Sequence, residues 1–280
     1  MLSRTAIPTA LLALLVSSCT VTVSRDDLDS LLRAYEVRTA VMESRFTVMS
    51  NFTAARTAEL VDAFREELPH VEQLYGLEFD QRLQLYLLPM MKAEITEDDG
   101  GFLLSFADKP GYQAYTDHET KIVVLLYPDL ELPDGQVVFA VHDRRDYRDS
   151  LRHELAHILS HKVRDRLPTW LDEGLAHLVG RTRWIEDRPV VPRELPLLPG
   201  DRDIPLRELF AWSEDGSKVV AGEAQSRGDM RRLALAFTTY LVQQQPRNQP
   251  MAETVRALAD MSAGELVGHH AAFQRWLDEQ

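Results

Sequence analysis

Residues 152–159 read Arg-His-Glu-Leu-Ala-His-Ile-Leu, a histidine pair four apart with a glutamate directly after the first. The leucine, alanine and isoleucine around them favour a helix, and on a helix positions i and i+4 share one face. His153 and His157 therefore aim at one point, where both imidazoles reach a single metal ion at about 2.0–2.1 Å. Glu154 stands about 100° round the helix from His153. From there it reaches a water on the ion without itself being a ligand, which is the geometry a general base needs.

Two histidines leave such a site incomplete, because zinc in a catalytic setting takes three protein ligands and keeps a fourth position for water. Sixteen residues after His157, the string Trp170-Leu171-Asp172-Glu173-Gly174-Leu175-Ala176 puts a carboxylate on a second helix beyond a turn that contains Pro168. Glu173 is the expected third ligand, for one zinc ion per chain. His161 continues the i+4 series, but it lies about 12 Å of helix rise from His153 and is read as solvated or as standing behind a ligand. His177 shares a helix face with Glu173 and is read either as a neighbour of the site or as a histidine packed between helices. If Glu173 is not the third ligand, His177 and His161 are next in line.

His153-Glu154-Leu155-Ala156-His157 followed by the string 170–176 resembles the paired motif of the gluzincin peptidases. Within them it is most similar to bacterial peptidase MA-like domains, where a Leu-Pro-x-Trp-Leu-x-Glu-Gly-Leu-Ala string follows the zinc helix; residues 167–176 fit it. Upstream, Gly111-Tyr112 through Asp117-His118-Glu119-Thr120-Lys121-Ile122-Val123-Val124 looks like the strand before that helix, so the resemblance covers roughly residues 45–180 in order and extends more loosely to the C-terminus. It implies a zincin-like α+β fold, a small mixed sheet with an active-site helix pair and a helical C-terminal part. It also implies a zinc-dependent peptidase in which His153, His157 and Glu173 hold the metal. Glu154 would act as the base that takes a proton from the attacking water and passes it to the leaving amine.

Two departures refine this expectation. The aminopeptidase branch carries a Gly-x-Met-Glu-Asn string upstream, and residues 92–152 lack it. An endopeptidase acting on a peptide or protein substrate is the favoured form, with the substrate added along an edge strand at 121–127. Some gluzincins also place an acidic group near the position of His177 to orient a zinc histidine. Tyr240 is the candidate for the donor that stabilises the developing oxyanion, because related enzymes often supply a tyrosine or histidine from that region. A reading of another class keeps the zinc-peptidase scaffold on a lipoprotein but uses it to bind a partner without turnover.

The N-terminus has its own chemistry. Arg4 precedes an apolar run over 7–16, and Val16-Ser17-Ser18-Cys19 resembles the lipobox of bacterial lipoproteins. The run is too short to span a hydrocarbon core that needs about 20 helical residues, so residues 1–18 read as a removed signal peptide and 19–27 as a lipidated tether. Cys19 is the only cysteine, which excludes an internal disulfide and leaves lipidation as its use. Thr20 after it leans towards the outer membrane, with the domain facing the periplasm. A net charge of −13, spread along the chain, argues against nucleic acid as a partner.

The remaining 28–280 are read as one peptidase domain: sheet-rich over 45–147, zinc helices over 148–180, and helical over 205–280. Periodicity predicts helices at 27–43, 51–75, 149–161, 168–179, 230–244, 252–261 and 263–278, and strands at 45–49, 83–88, 101–107 and 121–127. The five prolines between 181 and 205 predict an irregular connection. Arg227-Gly228-Asp229 reads as a turn, and His269-His270 as exposed on the last helix.

Overall fold

The computed structural model describes residues 38–80, 82–95, 102–106, 114–117, 122–131, 137–139, 147–186, 188–191, 195, 205–212, 227–246 and 249–279. The signal peptide, Cys19 and the tether lie outside the described residues, as do Gly111-Tyr112 and 118–121. The chain makes a mixed sheet first and then a run of helices, an α+β arrangement. Among the described residues no helix is long and apolar enough to cross a membrane.

Seven strands form the sheet: β1 (Arg38–Met42), β2 (Phe46–Ser50), β3 (Leu83–Ile95), β4 (Phe102–Phe106), β5 (Ala114–Asp117), β6 (Ile122–Glu131) and β7 (Val137–Phe139). The order is β1-β2-β3-β6-β5, with β4 added to the far end of β3 and β7 to the far end of β6. Strands β2, β3 and β6 run parallel, and the flanking pairs are antiparallel. A parallel neighbour requires a crossover, and helix α1 (Ala54–Tyr75) supplies it between β2 and β3. Thr53 caps its start by accepting from the Arg56 N–H, and Gly76 ends it at φ 65°, a left-handed conformation that a residue without Cβ adopts freely.

Alternation on the strands decides what faces the helices. Phe46, Val48, Leu83, Leu85, Leu87 and Val123 are buried, and they meet the stripe Leu60, Phe64, Leu68 and Val71 of α1. Phe46 and Phe64 pack edge to face at 4.7 Å. Helix α2 (Tyr147–Val163) lies against α1 and the β5–β6 side of the sheet, with every residue from 151 to 160 buried. Helix α3 (Thr169–Arg181) packs on α2, and α4 (Leu206–Ala211), α5 (Arg227–Gln243), α6 (Met251–Ala259), α7 (Ala263–Gly268) and α8 (His270–Asp278) complete the molecule.

Several expectations are corrected. The helix expected over 27–43 does not hold at its end, since 38–42 form β1 paired with β2; Thr39 and Val41 are β-branched, and pairing overrides a helical period. The expected edge at 121–127 is interior, because Gln84–Leu87 of β3 flank one side of β6 and Ala114–Asp117 of β5 the other. Strand β5 ends the order there. The connection after α3 contains a hairpin, β8 (Arg183–Ile185) with β9 (Arg188–Val190), anchored by Trp184 stacked on His70 at 4.8 Å. Arg227-Gly228-Asp229 begins α5 instead of making a turn. The last helix is interrupted at His269, after Gly268, a residue that weakens a helix.

Candidate metal centre

Helices α2 and α3 face each other across a five-residue link, and their close approach has a visible cause. A Cβ at Gly180 would stand 2.7 Å from the Asp149 carbonyl oxygen of α2, and one at Gly174 would stand 2.7 Å from the Ala234 carbonyl oxygen of α5. Two glycines on different faces of α3 thus let it sit tightly between α2 and α5. Arg152 fixes the far end, donating from Nε to the Gly180 carbonyl at 3.1 Å and pairing through Nη1 with buried Glu67 of α1 at 2.9 Å.

This packing gathers His153, His157 and Glu173. Nε2 of His153 is 3.1 Å from Nε2 of His157 and 3.9 Å from Oε2 of Glu173; Nε2 of His157 is 3.7 Å from Oε1 of Glu173. Ligands at about 2.0–2.2 Å on a tetrahedral zinc stand about 3.3–3.6 Å apart; the two nitrogens are near that spacing, but each meets a different oxygen of Glu173, so the carboxylate would have to turn to bring one oxygen to both. All three side chains are buried, as is Glu154. Polar groups of this kind are costly inside a helix buried all round unless they share a task or a partner.

His177 joins them, with Nε2 3.6 Å from Oε2 of Glu173 and its ring centroid 4.5 Å from that of His153. The ligating atoms of His153, Glu173 and His177 all lie within 4.8 Å of one another. Burial, with the neighbouring His177 and His157, keeps His153 well below the usual imidazole range and therefore neutral, the form a metal takes.

Two residues of the site escaped the sequence reading. Asp172 stands with Oδ1 3.0 Å from Nδ1 of His157, an ion-pair distance, and meets Nε2 of His161 through Oδ2 at 3.1 Å, while Nδ1 of His161 donates to the Asp165 carbonyl at 3.0 Å. His161 is thus one step removed from the donors, holding the aspartate that orients a donor. Burial opposes ionisation of Asp172, but His157 and His161 outweigh it and hold the carboxyl well below its ordinary range. The adjacency of Asp172 to Glu173 was the available signal. Arg231 of α5 is the second residue, buried with Nε 3.7 Å from Oε2 of Glu173. No local pattern announces a partner 58 residues away in the chain.

Tyr240 is directed elsewhere. Its hydroxyl meets Nδ1 of His269 at 3.1 Å, inside an aromatic group with Phe237, Phe273 and Trp276. It lies about 13 Å of helix rise beyond Arg231. That pairing also leaves His269 half-buried, whereas His270 is exposed.

No protein-family model matches the chain, and no curated protein matches it either.

Proposed function

We propose that the chain is a zinc-dependent peptidase of the gluzincin, peptidase MA-like type, with His153, His157 and Glu173 as ligands and Glu154 as base. The observation that carries this reading is the convergence of two nitrogens and a carboxylate, spaced 3.1–3.9 Å apart, from two separate motifs. The sheet followed by a helix pair and further helices is consistent with a zincin-like fold.

Zinc held there would supply Lewis acidity, making a water more acidic and polarising the carbonyl of a peptide bond. The residues supply the rest. Glu154 lies one position after His153 on the buried helix, near enough for its charge to favour the protonated form of His157. As the base it would take a proton from the attacking water and return it to the leaving amine. Asp172, on Nδ1 of His157, would favour the tautomer whose Nε2 is left to the metal. Arg231 is the cation that α5 brings to Glu173. An extended substrate would add to β5, the strand ending the sheet beside α2, in place of the interior β6. This arrangement suits an endopeptidase.

On the same reading, lipidated Cys19 anchors the chain in the bacterial cell envelope with its domain facing the periplasm; labelled fatty acid should enter the wild type and not Cys19→Ser. The test of the function pairs zinc content with cleavage of a peptide library. Glu154→Gln should keep about one zinc per chain and lose turnover. Equal turnover in variant and wild type would remove Glu154 from the role of base, and none in a zinc-loaded wild type would favour a scaffold that only binds a partner.

A further inference from the structure

The donors come as two matched pairs. His153 and His157 stand four apart on α2, and Glu173 and His177 stand four apart on α3, so each helix turns one i,i+4 face to the other. We propose that His177 is a fourth protein ligand of the same ion, making the resting centre three imidazoles and one carboxylate. This rests on the zinc-centre reading above and deepens it.

The two oxygens of Glu173 divide the site. Oε1 faces His157 at 3.7 Å, while Oε2 faces His153 at 3.9 Å and His177 at 3.6 Å. The Glu173–His177 separation is too long for a hydrogen bond, but it suits two ligands on adjacent corners of a zinc tetrahedron, about 3.3–3.6 Å apart. The ring of His177 is inclined at 63° to that of His153.

Exposure separates His177 from the others: its side chain is 23% exposed, against 5% for His153, 3% for His157 and 1% for Glu173. His177 therefore stands on the solvent side of the centre, where a water or a substrate carbonyl must enter. A zinc with four protein ligands is closed, in the manner of structural sites, whereas hydrolysis needs an open position. The exposed ligand is the one with room to leave, so His177 would close the resting centre at the position a substrate needs.

X-ray absorption on the zinc-loaded full-length chain, purified in detergent, counts coordinated imidazoles directly. Three in the wild type and two in His177→Phe, which keeps a ring in the same space, is the expected result. Two in the wild type overturns the fourth ligand while leaving the zinc centre intact, and this count stands even if the variant does not fold. A wild type that takes up no zinc overturns both the fourth ligand and the centre.

Discussion

Asp172 meets His157 on the ring nitrogen opposite the one that faces Glu173: Nδ1 is 3.0 Å from the aspartate, and Nε2 is 3.7 Å from the glutamate. A ligand imidazole held in this way presents one fixed nitrogen and is more basic towards a metal. Asp172→Asn keeps the shape and removes the charge. Zinc affinity, read by competition with a fluorescent chelator, should fall about 10- to 100-fold with the fold retained. An unchanged affinity would mean that the pair does not support the metal.

Proton release gives a second prediction. In the chelator-stripped chain, burial works against the His157 imidazolium, but Asp172, Glu173 and Glu154 outweigh it and raise the group from 6.5 to about 10. Zinc needs the neutral ring, so binding below that pH expels a proton. Apparent affinity should rise about tenfold per unit between about pH 6 and pH 8, with calorimetry in two buffers reporting about one proton released. The same shift stabilises the metal-free fold fully below 6.5, and that contribution is lost as the pH climbs through about 10.

Gly174→Ala tests the packing that brings α5 to the site. The added methyl would meet the Ala234 carbonyl oxygen at 2.7 Å, a backbone atom that cannot swing aside. Urea unfolding should show a loss of about 1–3 kcal/mol. Gly268→Ala is the control: a Cβ there meets nothing within 4 Å, and helix propensity predicts a gain of up to about 1 kcal/mol. Equal effects at the two positions would contradict the close approach of α3 and α5.

The buried Arg152–Glu67 pair ties α2 to α1. Glu67→Leu removes one of two carboxylates from the guanidinium, which keeps Asp149 and the Gly180 carbonyl, and should cost about 1–3 kcal/mol in urea unfolding. Glu67→Leu combined with Arg152→Leu should recover much of that loss. A double variant as unstable as the sum of its singles would show that the two residues act separately.

The elements legible in the sequence are those set by local pattern. The period of 51–75, with Gly76 after it, matches α1, and the two motifs fall on α2 and α3. The capping box of Ser262 and Glu265 opens α7. What escaped was set by tertiary neighbours. The strand character of 38–42 depends on β2, the interior position of β6 depends on β5, and Arg231 reaches Glu173 only because α5 packs on α3. Tyr240 was read from the region where related enzymes supply such a donor, and position along the chain does not reveal which neighbour a phenol meets.

The five-residue link between α2 and α3 also bears on how the protein behaves when it loosens. All four donor side chains come from residues 153–177, and joining ends so near in sequence costs little chain entropy. If this helical hairpin held together once the long-range pairing of β3 with β6 had opened, its donors would stay close. Under denaturant, zinc would then leave later than the sheet does, and the hairpin would be the last part of the chain to release its amide protons to solvent.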